Sequence, residues 1–181
     1  MISDTNKVKI QDFCQYLNWD SEFFGLNIAK ISKNKLNHNQ LIDISNWCKK
    51  NKIECLYFLV DASCRRTNYL AMDNQFDFVD TRVTLSINLD KNKLFEQNPN
   101  SCVFRSSKKS DIPILRGIAS VSHIDSRFYF DPNFPNELCD KFYGKWIERS
   151  CGDFADVVLV AVLGKKIVGY ISCHLDDSNV G

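Results

Sequence analysis

The sequence predicts an α/β (α+β) chain in which helices cover a mixed sheet, and three observations carry that prediction. Residues 53–60 (Ile-Glu-Cys-Leu-Tyr-Phe-Leu-Val) are apolar on both alternating faces, as a strand covered on both sides must be. Leu41, Ile44 and Cys48 recur at spacings of three and four, the period of a helix with one buried stripe. Residues 156–163 and 167–175 flank a short turn containing Gly164, the pattern of a β-hairpin.

In chain order, 27–32 supports a short strand, 40–50 the striped helix, and 53–60 a strand expected at the centre of a sheet. Residues 64–75 read as a second helix. From 79 to 89 the chain alternates, with Val79, Thr81, Val83, Leu85, Ile87 and Leu89 on one side and Asp80, Arg82, Thr84, Ser86 and Asn88 on the other. That period predicts a strand with one buried and one wet face. Strand, helix, strand, helix, strand is the order of a small layered α/β unit. Residues 90–101 are polar and punctuated by Pro99, as a linker is, and divide the chain into an N-terminal α/β domain, 1–98, and a second domain, 99–181.

The second half opens with a strand over 102–106. Ser110 is placed to cap a helix and Pro113 is tolerated in a first turn; the helix runs to about Val121 on a stripe of Leu115, Ile118 and Ala119. An aromatic loop follows. Pro135 then suits the first turn of another helix, in which Leu138, Phe142 and Trp146 repeat every four residues and Cys139, Tyr143 and Ile147 widen the apolar face. The hairpin completes the half as strand, helix, helix, strand, strand.

Composition narrows the function classes. The 23 Lys and Arg against 22 Asp and Glu leave a net charge of +1, so no field draws in nucleic acid or an anionic membrane. With 44% hydrophobic and 25% charged residues, and no apolar run near the roughly 20 that a membrane helix needs, the chain reads as a soluble globular protein. Its first residues lack the apolar core of an export signal, which favours a cytoplasmic address. The eight cysteines form no CxxC pair and have no His at ligand spacing, so buried free thiols and no metal are expected.

Two stretches carry a family likeness: Asn18-Trp19-Asp20-Ser21-Glu22-Phe23-Phe24-Gly25-Leu26-Asn27-Ile28-Ala29, and Asp125-Ser126-Arg127-Phe128-Tyr129-Phe130-Asp131-Pro132-Asn133-Phe134-Pro135 with Phe142-Tyr143-Gly144-Lys145-Trp146-Ile147. They resemble the TDP-fucosamine (dTDP-4-amino-4,6-dideoxygalactose) N-acetyltransferases of the GNAT superfamily, in the same order along the chain. The resemblance implies a GNAT-like mixed sheet, with the second domain as the first half of an acyltransferase domain. It also implies transfer of acetyl from acetyl-CoA to the 4-amino group of a nucleotide-linked deoxysugar, for surface polysaccharide synthesis.

The family pattern holds the CoA pyrophosphate on a Gly-rich turn at a helix start. The seven glycines here are isolated. The cofactor-binding element and the tyrosine usually assigned as general acid are therefore expected after Gly181, with no cofactor-binding residue in this chain, which reads as a fragment inactive by itself. An unfinished sheet leaves the edge of 167–175 open, a route to homo-oligomers.

Arg127 is a candidate for a substrate phosphate, or else a structural cap on a helix end. Ser126, Phe128 and Tyr129 share its loop and could meet the sugar or the base. His123 and Asp125 could orient a polar group or assist proton transfer, or be solvated capping residues. Trp19, Asp20, Phe23 and Phe24 could line an acceptor pocket, although Phe23 and Phe24 also suit a core. Ser172 and His174 are strand positions that could touch substrate. Competing readings are a GNAT acyltransferase for a peptide or small-molecule amine, and a noncatalytic module on a GNAT-like core.

Overall fold

The computed structural model describes residues 13–87 and 102–175. Contacts divide the chain into two units on either side of the Phe78–Val79 junction. The linker expected over 90–101 lies outside the described residues.

In the first unit, β1 (Cys14–Tyr16) pairs antiparallel with β2 (Ile28–Ile31), and β2 pairs parallel with β3 (Cys55–Phe58). The turn between β1 and β2 contains helix α1 (Asn18–Phe24), which ends at Gly25 with φ 70, a left-handed value that glycine adopts without strain. A parallel pair requires a crossover, supplied by α2 (His38–Lys50). A capping box starts α2: the Asn37 side chain accepts from Gln40 N at 3.0 Å, and the Gln40 side chain accepts from Asn37 N at 2.9 Å. Its predicted stripe buries Leu41 and Ile44 against Phe13, Cys14, Ile31 and Leu36, with Cys48 partly buried beside them. Helix α3 (Arg65–Asp73) follows, within the stretch expected to be helical.

Two strand expectations are corrected. The strand at the centre of this sheet is β2, with Ile28 and Ala29 fully buried; β3 is an edge and its four residues are only half-buried. The two-faced apolar pattern of 53–60 reports partial cover on both faces, which an edge strand also has. Residues 79–87 form no strand: Val83, Leu85 and Ile87 are 73%, 89% and 66% exposed. Alternation buries a face only where the backbone finds a paired edge, and among the described residues no strand pairs with this segment. Positions 88 and 89 lie outside the described residues.

The second unit is an antiparallel sheet, β4 (Cys102–Ser106), β5 (Val157–Leu163) and β6 (Lys166–Cys173), with β5 in the middle. Gly164, at φ 61, makes the tight turn of the predicted hairpin. The register slips between Ala161 and Val162, whose partners Gly169 and Ile167 leave Val168 as a bulge. Helices α4 (Ile112–Ser122) and α6 (Asn136–Arg149) bury Leu115, Ala119 and Ile147 against Val158 and Val160 of β5. The stretch expected to be a loop makes one helical turn, α5 (Arg127–Phe130). After α6 the chain winds through a wide turn, Ser150–Phe154, in which Gly152 leaves helical geometry.

At the head of α4 the residue in the N-cap position is Asp111, not Ser110, and its side chain turns back to the preceding chain instead of capping the helix. The Asp111 carboxylate accepts from Lys108 N at 2.8 Å and from both terminal nitrogens of Arg105 on β4, at 2.6 and 3.1 Å. That paired guanidinium, with the Lys108 amide, holds the carboxyl below its ordinary range. The cysteines depart from expectation in part: all eight are free, but only Cys14 and Cys139 are fully buried. Among the described residues, no helix is long and apolar enough to cross a membrane. Mixed α/β architecture, with two three-stranded sheets among the described residues, is thus the fold class.

Candidate functional site

Three elements of the second unit converge where α4 ends. His123, the residue that terminates α4, stacks its imidazole on the Tyr143 ring of α6, with centroids 4.3 Å apart and planes 22° from parallel. From β6, the Tyr170 hydroxyl lies 3.2 Å from His123 Nε2. Tyr170 reaches it because it stands on the helix-covered face of the sheet, packed with Ile167 and Val162 against the core. Tyr129 of α5 extends the aromatic stack, its ring nearly parallel to Tyr143 at 6.4 Å. The Tyr129 hydroxyl donates to Asp140 Oδ1 on α6.

Burial sets the electrostatics. Removal of water disfavours the imidazolium, so the His123 pKa is lowered and the ring is neutral near pH 7. The same cause pushes the phenols up, Tyr170 to about 12, Tyr143 in the same direction, and Tyr129 further with help from the Asp140 carboxylate. Apart from the Asp140 carboxylate held by Tyr129, the cluster therefore presents hydroxyl groups and a neutral imidazole. Its polar atoms can accept, donate and pass a proton.

The predicted site residues divide into three groups. His123 and Tyr129 belong to the cluster. Ser126 precedes α5, and its Oγ is shut off from solvent beside the Tyr143 phenol without a hydrogen bond of good geometry among the described residues. Asp125 is exposed. Arg127 lies half-buried with its guanidinium 4.6 Å over the Phe128 ring. Phe128 itself is 2% exposed, wedged among Phe134, Phe142 and Tyr143, so it is a core residue and not a ligand contact.

The other candidates stand apart from this cluster. Ser172 sits two residues beyond Tyr170 on the same face of β6, opposite Val158. His174 lies past the end of β6, exposed, with its ring against Phe154. In the first unit a shallow cleft of about 260 Å³ is lined by Tyr16, Glu22, Asn27 and Glu54 among others. Trp19, Asp20, Phe23 and Phe24 are not in that lining; the three aromatics pack on one another along α1. The inward residue of α1 is Ser21, whose Oγ accepts from Ile28 N at 2.9 Å.

Sequence reasoning placed Tyr143 on an apolar helix face and did not single out Tyr170 within the 167–175 strand. A tyrosine on a strand's buried face carries a hydroxyl that needs a partner, and that was the available signal. Among the described residues no three His, Cys, Asp or Glu side chains gather as a metal set. The described glycines are dispersed, and none opens a helix as a phosphate cradle does. Comparison of the sequence with protein-family models and with curated proteins returned no match to either.

Proposed function

We propose that this chain forms the acceptor side of a GNAT-type N-acetyltransferase that moves acetyl from acetyl-CoA to the 4-amino group of a nucleotide-linked deoxysugar. One observation carries the reading above the others. An antiparallel sheet with a helix pair on one face brings a neutral imidazole and tyrosine hydroxyls together against β6, an edge strand among the described residues. Amine acylation needs such a place, because the nucleophile reacts only as the neutral amine and must hand its proton to a nearby acceptor. The order strand, helix, helix, strand, strand and the Ser126-Arg127-Phe128 stretch add the likeness described above. Arg127 has the charge and fork to meet a substrate phosphate, and Ser126 and Tyr129 the hydroxyls to meet a sugar.

Thermal shift and calorimetry with TDP-linked and UDP-linked amino sugars test the reading. A ligand that binds only the folded state stabilises it by about 2.7 kcal/mol at a hundred times its Kd, and Arg127→Ala is expected to abolish that shift. Stabilisation by peptide amines alone would move the reading to another acceptor. Absence of any shift with amino sugar nucleotides would overturn the sugar assignment.

A further inference from the structure

The geometry points to His123 and Tyr170 as the proton acceptor that converts the bound acceptor's ammonium to the reactive amine, an assignment that rests on the acyltransferase reading above. In the step, the ammonium N–H gives its proton to the Tyr170 oxygen while the Tyr170 O–H gives its own to His123 Nε2. The products are a neutral amine, an unchanged tyrosine and an imidazolium, so one positive charge enters and one remains.

Three features equip His123 for this. Its Nε2 lies 3.2 Å from the Tyr170 hydroxyl, and in the tautomer with its hydrogen on Nδ1 the neutral ring accepts there. Its imidazole lies flat on the Tyr143 ring, and an aromatic face attracts the cation once it forms. It terminates an 11-residue helix, where the backbone dipole favours positive charge. Burial alone opposes the imidazolium, which keeps the base free at neutral pH; the stacked ring and the helix end then act when the proton arrives.

Tyr170 suits a relay rather than a base. Burial keeps its phenol protonated through the working range, so it passes a proton without holding a negative charge. The groups that face the imidazole are Tyr143 from α6 and Tyr170 from β6, and among the described residues no carboxylate is hydrogen-bonded to it.

The test is the pH profile of kcat/KM in the protein, with acetyl-CoA and a nucleotide-linked amino sugar. His123→Gln should lower kcat by roughly 10²- to 10⁴-fold with little change in KM and should erase the acid limb, and added imidazole should restore part of the rate in His123→Ala. Tyr170→Phe keeps the ring and the packing, and should lower kcat while the His123 carbon resonances still titrate in NMR. If His123→Gln retains full rate and the same acid limb, the base assignment fails and the acyltransferase reading stands. Full rate in Tyr170→Phe removes the relay. If the wild-type protein transfers no acetyl group to any amine, both fall.

Discussion

Residues 79–87 and β5 are written in similar letters and end in opposite states. Both are rich in Val, Leu and Ile at strand period. In β5, Val158 and Val160 are 4% and 0% exposed, whereas Val83, Leu85 and Ile87 of the other segment stand in solvent. β5 has a neighbour on each side, β4 and β6, and the helix pair across one face. The earlier segment pairs with no strand among the described residues. Side-chain pattern specifies which face would be buried; backbone pairing decides whether there is a sheet to bury it in.

The strongest way to sharpen that contrast is a charge in the paired strand. Val160→Asp places a carboxylate in a fully buried site whose cross-strand neighbour, Arg105, is already paired with Asp111, and should cost about 4 kcal/mol or more, seen as loss of the cooperative urea transition of the second unit. An intermediate effect should come from the cluster on the same face. The folded state lowers the His123 pKa, so it prefers the neutral ring. That contribution is present above the unfolded value near 6.5, and is lost as pH falls through it toward the lower folded value. Denaturation midpoints at pH 8 and pH 5 should therefore diverge in wild type and converge in His123→Gln. The smallest effect belongs to the unpaired segment: Leu85→Asp should change stability by no more than about 0.5 kcal/mol. A loss several times larger would mean that 79–87 is paired after all and would break the comparison.

Legibility followed the range of the interaction. Helix α2 was readable because its stripe of Leu41, Ile44 and Cys48 lies within one short segment; its start at His38, behind the Asn37 and Gln40 capping box, was not. The hairpin of β5 and β6 was readable because Gly164 and its flanks are adjacent in sequence. The position of β3 in its sheet was not, since strand order depends on partners a helix or more away. Helix α1 gave little signal: its inward residue is the polar Ser21, fixed by a hydrogen bond to β2 rather than by an apolar stripe. At the candidate site, His123 and Tyr129 were visible as residues of a suggestive loop. Tyr170 was not, because only the register of β6 under α4 brings its hydroxyl to the imidazole. Phe128 was misread for a related reason. A hydrophobic residue in a loop looks available until the helix that covers it is placed.

The sheet of the second unit joins one very short connection to one very long one. β5 and β6 are separated by the two residues of the Gly164 turn, whereas Cys102 of β4 pairs with Leu163 across about sixty residues. Closing the longer loop carries the larger chain-entropy cost and must wait for α4 and α6 to be in place. The hairpin should therefore zip first, before the folding barrier, and β4 dock last, after it. Substitutions in the hairpin turn should slow refolding, while those in β4 should mainly hasten unfolding.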